Sequence, residues 1–459
     1  MGAFRAAGLL PALTVSAFAL SGCGGVKTYA PPATNPWQAR ALVGGFEAGP
    51  ARKIDHIVII VQENRSFDNL FQGYPHADTR SYGYDSKGDK IALEPIGFKT
   101  TWDLGHSSTA FFTTCNGRGK YPGTECRMNG FDQEPVFCGG SGEPRCPDAH
   151  PQYAYVPQKE TKPYFAMASQ YVLADHMFES DFDESSFVSH QYIIAGQASS
   201  TVNVPQGGPW GCSGKAVIST ITKQRTMGPL ISACLNNQTL GDELDTAGVS
   251  WRYYTANISA DGGLWNAYQA IKHIYNKHDW KTDVVTPQTK FFSDVHKNRL
   301  PAVSWITPTC ENSDHAGCNS NTGPMWVASL VNAIGESPYW KSSAIFIFWD
   351  DPGGWYDHVP PHKVDYDGLG YRVPLLIISP YAKDGFVSNV HYEHGSLLRF
   401  VEDRFGLPRL AASDKRATSP EADCFDFNQP PRKFVPIQSK MDERDFERQP
   451  LDLRPVDTE

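Results

Sequence analysis

Residues 55–70 read Asp-His-Ile-Val-Ile-Ile-Val-Gln-Glu-Asn-Arg-Ser-Phe-Asp-Asn-Leu, an apolar run that stops at a carboxylate and an amide. A continuous β-branched run is typical of a buried strand in a parallel sheet, which predicts a strand over residues 56–61. In open α/β sheets, ligands bind beyond the carboxyl ends of the strands. Glu63 and Asn64 therefore stand where oxygen ligands would hold a cation or a phosphoester. From this segment alone, an ordinary polar strand exit is an equal alternative.

Three further apolar runs predict strands of the same sheet, over residues 302–306, 344–349 and 373–379. Helical periodicity of the apolar residues appears over residues 323–336 and 393–405. Strands that alternate with helices predict an α/β fold, with a mainly parallel central sheet flanked by helices.

A second acidic pair, Asp350 and Asp351, directly follows the run at 344–349. Two adjacent carboxylates repel each other and resist burial unless a cation or hydrogen bonds compensate. A hard divalent cation with oxygen ligands is the usual compensation, although Asp-Asp-Pro-Gly-Gly is also a reasonable turn sequence. Because both polar pairs follow core strands, we predict one divalent metal ion, of unspecified identity, between them.

Two serines precede a helix-like run at residues 187–195, in a stretch of helix-capping residue types. In the first turn of a helix, the dipole and the free amide groups stabilise an alkoxide and also bind phosphate oxygens. A neighbouring metal lowers the pKa of such a hydroxyl further. Ser185 and Ser186 are therefore candidate nucleophiles, and simple helix capping is their alternative role.

Histidines in predicted loops are the third set of candidate functional residues. His106, His315 and His358 follow polar or glycine-containing turns, and His394 opens the helix predicted near 393–405. Such histidines can bind phosphate oxygens or protonate a leaving group. The chain has 14 histidines, so a surface or structural role is the alternative for each of the four.

Together these motifs resemble the bacterial phosphoesterase family of acid phosphatases and phospholipases C, which belongs to the alkaline-phosphatase superfamily. The resemblance spans roughly residues 54–432 as ordered islands. The matching segments are residues 63–68, 175–196, 350–358, 373–374, 394–400, 425–427 and 430–432. The stretch Glu-Asn-Arg-Ser-Phe-Asp at 63–68 is the specific one. The resemblance implies an alkaline-phosphatase-like sheet.

The resemblance also implies roles for individual residues. The family usually shows Gly-Pro, then Ser or Thr, then an aromatic residue and Pro-Asn, whereas residues 184–189 read Glu-Ser-Ser-Phe-Val-Ser. Both prolines are missing, so Ser185 remains a rival, although counting back from Gly196 favours Ser186. The implied metal ligands are Glu63, Asn64, Ser186, Asp350 and Asp351; the implied catalytic residues are Ser186, His106 and His315; and Asn64, His358 and His394 are implied substrate-binding residues.

The predicted reaction is metal-dependent hydrolysis of a phosphate ester through a phosphoserine at Ser186. His315 or His106 would protonate the departing oxygen, and the metal with Asn64 would stabilise charge on the phosphoryl oxygens. We expect a broad-specificity acid phosphatase, because the larger phospholipases of the family carry further carboxyl-terminal domains. A phospholipase C acting on phospholipid diesters is the first alternative. An exported binding protein without catalysis, motivated by the missing prolines, is the second.

The amino-terminal residues predict export. Residues 9–20 form an apolar stretch that is too short to span a bilayer, and Leu20-Ser21-Gly22-Cys23 follows it. This resembles a bacterial lipoprotein cleavage box. We predict a signal peptide at 1–22, lipid anchoring to a bacterial membrane through Cys23, and a tether at 23–50. An ordinary secretory signal is the alternative.

The other cysteines predict disulfides, which export favours. Nearest-neighbour pairing joins Cys115 to Cys126, Cys138 to Cys146, Cys212 to Cys234 and Cys310 to Cys318, and leaves Cys424 unpaired. Sequence alone does not fix this connectivity.

The predicted phosphoesterase domain covers residues 51–410. It includes a disulfide-pinned insertion at 107–165, which is rich in glycine and proline and has no clear period. The polar residues 411–459 predict a tail that wraps the surface. The net charge is −9, and no basic stripe indicates nucleic-acid binding.

Overall fold

The computed structural model describes residues 50–138, 150–209, 211–256, 265–452 and 454. The predicted signal peptide, nearly all of the tether, Cys23 and Cys146 lie outside the described residues. Among the described residues, no helix is both long enough and apolar enough to cross a membrane.

An eight-stranded sheet forms the centre of the described chain. Its strands are β1 (His56–Gln62), β2 (Val172–Ala174), β3 (Trp251–Tyr254), β4 (Val284–Val285), β5 (Val303–Ile306), β6 (Ser343–Trp349), β7 (Leu375–Ile378) and β8 (Phe386–Ser388). They lie in the order β4-β3-β5-β1-β6-β7-β2-β8. All four predicted strands belong to this sheet.

One strand runs against the others. β7 pairs antiparallel with both β6 and β2, whereas the remaining neighbours are parallel. Residues 350–374, which are all described, contain no helix between β6 and β7. A parallel β7 would need a crossover connection, which is usually a helix. Without one, β7 pairs with β6 in the antiparallel direction. The prediction of a mainly parallel α/β sheet is confirmed.

β1 lies in the middle of the sheet and ends level with β6. It pairs with β6 over seven residues, from His56 opposite Ser343 to Gln62 opposite Trp349, and with β5 on its other side. Burial on both faces explains why its sequence is continuously apolar. Because the two strands end together, the residues after Gln62 and Trp349 emerge side by side at one edge.

Helices cover both faces of the sheet. Eight of the helices are α1 (Phe67–Phe71), α2 (Ser108–Cys115), α3 (Gln158–Gln170), α4 (Ser186–Ala195), α5 (Leu240–Ala247), α6 (Lys290–His296), α7 (Gly323–Gly335) and α8 (His394–Phe405). Further helices of four or five residues are Lys272–Tyr275, Asp279–Thr282, Ala412–Arg416, Glu421–Cys424 and Glu443–Glu447, with 3-10 turns at Pro50–Lys53, Phe131–Gln133, Gly211–Ser213, Ala267–Ala270, Cys310–Asn312 and Pro338–Ser342.

The side chains of β6 show the two layers. The Phe346 ring packs on Phe400 of α8 with centroids 4.9 Å apart, while the Trp349 ring packs on Tyr164 of α3 at 5.0 Å. Residues 346 and 349 differ by an odd number, so their side chains leave opposite faces of the strand. The helices predicted at 323–336 and 393–405 are confirmed as α7 and α8.

Small sheets and hairpins surround this centre. Their strands are Tyr82–Tyr84, Lys90–Ala92, Glu94–Pro95, Trp102–Leu104, Val136–Cys138, Ala154–Tyr155, Met177–Phe178, Thr201–Gln206, Val217–Thr220, Ile231–Ser232 and Tyr392–Glu393. The predicted insertion extends too far at its end, because residues 158–165 belong to α3, whose buried Tyr164 is part of the main core. The α3 sequence carries Pro163 and two lysines, which obscured its helical pattern.

Three predicted disulfides are confirmed: Cys115–Cys126, Cys212–Cys234 and Cys310–Cys318. Cys138 is also disulfide-bonded, and its predicted partner lies outside the described residues. Cys424 is free, as predicted, and it is buried.

The carboxyl-terminal segment lies against the domain. Phe446 is buried and its ring packs on Trp326 of α7, with centroids 5.2 Å apart. Further along, the Asn312 side chain donates to Gln449 Oε1 at 2.7 Å, and the Glu311 backbone donates to Asp452 Oδ2 at 2.6 Å. The segment therefore contacts the turn that begins the disulfide-closed stretch 310–318.

Candidate active site

The four predicted oxygen ligands come together at the carboxyl edge of β1 and β6. The Asn64 backbone donates to Asp350 Oδ1 at 3.1 Å, and its side-chain amide donates to Asp351 Oδ2 at 3.2 Å. Glu63, Asn64, Asp350 and Asp351 are all fully buried. Asn64 takes a left-handed backbone conformation, with φ of 57°, which asparagine tolerates better than most residues. That turn directs the chain from the end of β1 towards the two aspartates.

Ser186 joins this group and Ser185 does not. Ser186 is the first residue of α4, and its hydroxyl donates to Asp351 Oδ2 at 3.2 Å. Ser185 is the N-cap residue, but its hydroxyl has no hydrogen-bond partner among the described residues. Glu184 has φ of 57°, a conformation that glycine adopts without strain. The family pattern has its glycine two residues before the nucleophile, so this geometry agrees with the register that favours Ser186.

His190 is a residue of this site that the sequence reasoning missed. It lies one turn after Ser186 on α4, fully buried, with Nε2 3.1 Å from Glu63 Oε1 and 3.5 Å from Asp350 Oδ2. Side chains four residues apart share one face of a helix. The spacing of Ser186 and His190 was therefore a usable signal for finding it.

The acidic group has the properties of a cation site. Burial would raise the pKa of Asp350, but its hydrogen bonds to His190 and the Asn64 backbone outweigh burial and hold that pKa below the usual range. Asp350 is therefore ionised beside Asp351 and Glu63 in a buried setting. Asn64 Oδ1 is buried and has no hydrogen-bond partner in the described structure. Buried negative charge with a spare amide oxygen fits a hard divalent cation.

His106 and His315, the two histidines predicted to act in catalysis, lie next to each other. Their rings meet edge to face with centroids 5.6 Å apart. His106 Nδ1 bonds to the Leu104 carbonyl at 2.7 Å, and His315 Nδ1 bonds to the Ala316 carbonyl. These contacts place the proton of each ring on Nδ1. Nε2 is then the acceptor nitrogen of each ring, and that of His315 has no partner among the described residues.

Two glycines connect the acidic group with the loop of His106. Gly353 and Gly354 have φ of 60° and 70°. A Cβ at Gly353 would lie 2.5 Å from the Asn64 carbonyl oxygen, and one at Gly354 would lie 2.6 Å from the Gly105 carbonyl oxygen. Real Cβ atoms do not approach that closely, so the turn after Asp351 fits between the two segments only because it lacks side chains.

Arg65 and Gln62 connect β1 with the loop of His315. The buried Arg65 guanidinium donates from Nε to the Asp314 carbonyl at 2.7 Å and lies over the Trp355 ring, 4.5 Å from its centroid. Gln62 Oε1 accepts from the Asp314 backbone at 3.1 Å. Asp314 in turn accepts hydrogen bonds from Tyr164 at 2.8 Å and from the Trp349 indole at 3.1 Å. His315 is thereby held in fixed relation to Glu63 and Asn64.

Asp314 should make stability depend on pH. Burial raises its pKa to about 7, against the lowering effect of its hydrogen bonds and of Arg65, whereas its ordinary value is 3.8. Between these values the folded chain holds a proton that the unfolded chain has lost. The stability contributed by this carboxyl is therefore complete below about pH 4 and is lost as the pH rises through about 7.

The Asp314→Asn variant tests this dependence, because asparagine cannot ionise. Denaturant unfolding of both proteins at about pH 5 and about pH 8 should show that the wild type loses more unfolding free energy over this interval than the variant. Equal losses in the two proteins would contradict the assignment.

His358 lies in a different network from the histidine pair. Its Nδ1 bonds to Asp68 at 2.6 Å and its Nε2 to Asp78 at 3.1 Å. Arg372 completes the network through a salt bridge from its Nε to Asp357 at 2.9 Å. Both ring nitrogens of His358 are thus occupied by carboxylates, and the structure does not bring this residue to the acidic group as a substrate contact.

His394 lies beside the acidic group without joining the histidine pair. It is fully buried at the start of α8, with its ring 5.3 Å from that of Phe348. Burial lowers its pKa to about 4, although the charge of Asp350 acts in the opposite direction. His394 is therefore neutral around pH 7.

The Phosphoesterase family profile matches residues 54–408, most of the chain. The chain belongs to the Phosphoesterase family. The family predicted from the sequence is thereby confirmed, and the acidic group, Ser186 and the histidine pair all lie inside the matched region. The roles of the individual residues remain predictions.

Curated relatives of this family member include bacterial phospholipases C. The non-hemolytic phospholipase C of Burkholderia pseudomallei is 25% identical over 426 residues, which cover 80% of this chain and 57% of that protein. Phospholipase C B of Mycobacterium tuberculosis is 25% identical over 451 residues, which cover 85% of this chain and 82% of that protein. The chain thus spans somewhat more than half the length of the Burkholderia enzyme.

Among solved structures, the fold is similar to that of a protein in the alkaline phosphatase superfamily from Vibrio parahaemolyticus. The sequences are 10% identical, the TM-score is 0.35, and the match covers 80% of this chain and 71% of that chain.

Proposed function

We propose that this protein hydrolyses phosphate esters, with Ser186 as the nucleophile. The observation that carries the proposal is the hydrogen bond from Ser186 to Asp351, inside a buried group of carboxylates at a sheet edge. A serine at a helix start, next to concentrated negative charge that requires a cation, has little purpose in a binding protein. Family membership over residues 54–408 supports the same chemistry.

Glu63, Asn64, Asp350, Asp351 and Ser186 would hold the divalent metal. When bound, such an ion lowers the pKa of the serine hydroxyl and polarises phosphoryl oxygens. Ser186 is the first residue of α4, so the positive end of the helix dipole lies at the nucleophile, where it would favour a dianionic phosphate.

The protein side of the reaction then has three steps. Ser186 reacts as its alkoxide, after its hydroxyl proton has passed to solvent, and its oxygen bonds to phosphorus as the ester oxygen departs. His315 or His106, protonated on Nε2 as well as on Nδ1, gives the departing oxygen its proton. The phosphoserine is then hydrolysed by water, and inorganic phosphate leaves. Before the next turnover, the histidine recovers its proton from that water. Because a backbone carbonyl holds the Nδ1 proton of each ring, Nε2 is the nitrogen that takes up the second proton and transfers it to the departing oxygen.

For the substrate class we propose phosphomonoesters first. Ser186, His106 and His315 are at most 3% exposed, so the reacting group must enter a deep site, and a terminal phosphoryl group enters it most easily. Phospholipid diesters are the second candidate, because the curated relatives named above are phospholipases C.

A substrate panel distinguishes these classes. The purified full chain is assayed with a chromogenic phosphomonoester, the corresponding phosphodiester, a nucleotide and phosphatidylcholine vesicles, across pH and with or without chelator. We expect the monoester to give the highest kcat/KM and the chelator to suppress it. A preference for phosphatidylcholine would select the phospholipase function instead. No hydrolysis of any ester with added divalent metals would refute both.

A further inference from the structure

We propose that His190 is a nitrogen ligand of the divalent metal in the acidic group, and that it gives this position a preference for a Zn²⁺-class ion. This role rests on the metal site of the proposed function and deepens it. The ligand set assigned above contains only oxygen atoms, from Glu63, Asn64, Ser186 and the two aspartates. His190 would add one imidazole nitrogen to that set.

Three donor atoms converge at the carboxyl edge of β1 and β6. His190 Nε2 lies 3.1 Å from Glu63 Oε1 and 3.5 Å from Asp350 Oδ2. Each of these three residues offers one ligand atom, and the three atoms all lie within 4.8 Å of one another. Metal–donor bonds of about 2.0–2.2 Å, at angles of about 90–110°, place two donors of one ion about 2.8–3.6 Å apart. The distances from Nε2 to both carboxylates therefore match those of donors that share one ion.

The hydrogen bond behind the ring determines which nitrogen turns its lone pair to the carboxylates. Tyr253 of β3 gives its single hydroxyl proton to the Trp265 carbonyl, at 2.7 Å. The Tyr253 oxygen therefore accepts from His190 Nδ1, which lies 3.4 Å from it. A neutral imidazole carries one proton, so Nε2 then presents its lone pair to Glu63 and Asp350. A lone pair that faces two buried carboxylates requires a cation between them.

A proton and a metal ion are the two cations that can fill this position. With a proton on Nε2, the ring donates to the carboxylates, which is the metal-free contact with Asp350 described above. With a metal ion, the ring coordinates through the same nitrogen, and the proton passes to solvent. The partner of the other ring nitrogen fixes which nitrogen of a histidine coordinates. Tyr253 thus directs Nε2 to the acidic group.

One helix supplies two of the donors. Ser186 is the first residue of α4 and His190 lies one turn later, so their side chains share a face of the helix. The Ser186 hydroxyl lies 3.2 Å from Asp351 Oδ2, while the His190 ring reaches Glu63. Two ligands four residues apart on one helix are a recurrent arrangement in metal sites. His190 is fully buried, so its ring stays at the sheet edge and out of solvent.

A nitrogen donor changes which ion the group prefers. Oxygen donors alone suit Mg²⁺ and Ca²⁺, whereas imidazole suits Zn²⁺ and its transition-metal neighbours. Without His190 the carboxylates remain, so binding of Mg²⁺ should persist while binding of Zn²⁺ weakens. A histidine that only oriented Glu63 would, on removal, weaken the binding of both ions alike.

The test measures metal coordination directly and needs no substrate. The full chain is freed of metal with a chelator and loaded with one equivalent of Mn²⁺, and pulsed EPR detects a directly bound imidazole nitrogen. Affinities for Zn²⁺ and Mg²⁺ are measured by competition. The variant is His190→Gln, with circular dichroism as the check of its fold. His394→Gln is the matched control, because His394 is also a buried histidine beside the acidic group.

We expect the wild type and His394→Gln to show the nitrogen coupling and His190→Gln to lack it. The affinity for Zn²⁺ should fall at least about tenfold in His190→Gln, whereas the affinity for Mg²⁺ should change less than about threefold. A wild-type ion without nitrogen coupling would overturn the proposal, even if His190→Gln failed to fold. Equal losses for the two ions would also overturn it, since His190 would then only orient Glu63.

Asp351→Asn separates failure of this inference from failure of the metal site itself. This variant should lose the ion and the nitrogen coupling together, because Asp351 belongs to the same group. An ion that binds Asp351→Asn as it binds the wild type, or a wild type without bound metal, would contradict both the metal group and its nitrogen ligand. An ion that Asp351→Asn removes but that shows no nitrogen coupling would contradict the nitrogen ligand alone.

Discussion

The Ser186→Ala variant should lose turnover by at least about a thousandfold, because loss of the nucleophile removes the covalent route. Its fold should survive, since among the described residues the hydroxyl makes one hydrogen bond, to Asp351 at 3.2 Å. The measurement is kcat on the best substrate of the panel, together with the Tm. Wild-type-like turnover would remove Ser186 from the mechanism.

Ser185→Ala is the matched control for this experiment. Ser185 is the neighbouring serine and is equally buried, yet its hydroxyl has no hydrogen-bond partner among the described residues. It should therefore keep its activity within a few-fold of the wild type and show little change in Tm. The opposite pattern, with Ser185→Ala inactive and Ser186→Ala active, would assign the nucleophile to the rival serine.

The Asp351→Asn variant should bind the activating divalent metal at least about a hundredfold more weakly. Its Oδ2 accepts hydrogen bonds from both Asn64 and Ser186, so this carboxylate stands at the centre of the group. We expect kcat/KM at limiting metal to fall in parallel, with partial recovery at high metal concentration. Metal titration followed by activity and by bound-metal analysis measures both effects.

The metal-free form of Asp351→Asn should have a higher Tm than the metal-free wild type. In the wild type, Asp351 lies beside Asp350 and near Glu179, whose pKa is raised by burial and by the charges of Asp181 and Asp351. Removing one of these buried charges lessens their repulsion. Glu402→Gln is a suitable control, because it replaces another buried carboxyl, on α8, which contacts Arg409. It should leave metal affinity unchanged, and a similar loss in this control would contradict a specific role for Asp351.

The sequence was most informative about segments whose own residue pattern also shows where they lie in the sheet. The runs at 56–61 and 344–349 are continuously apolar because β1 and β6 are buried. Each strand is followed by acidic residues, at Glu63 and at Asp350, where it leaves the sheet. When two such strands are parallel and adjacent, as β1 and β6 are, the residues that follow them lie next to each other. The helix after Ser186 was also predictable, since its residues and its cap are local.

Contacts between distant segments were not predictable in this way. His190 reaches Glu63 only because α4 docks against the ends of β1 and β6, and β7 reverses direction because its connection contains no helix. His358 looked equivalent to His315 in the sequence, since each follows an aspartate in a loop. What separates them is the surroundings: Asp68 and Asp78, almost 300 residues earlier in the chain, bond to both of its nitrogens.

The contacts of Gln449 and Asp452 have a consequence for the order in which the protein is assembled. Both residues bind the turn at Glu311 and Asn312, just before His315. During synthesis, the sheet strands and Ser186 leave the ribosome well before residues 449–452 do. The turn that precedes His315 can acquire these neighbours only after residues 449–452 have been released. A chain truncated before Gln449 should therefore lack these two contacts of the turn that precedes His315.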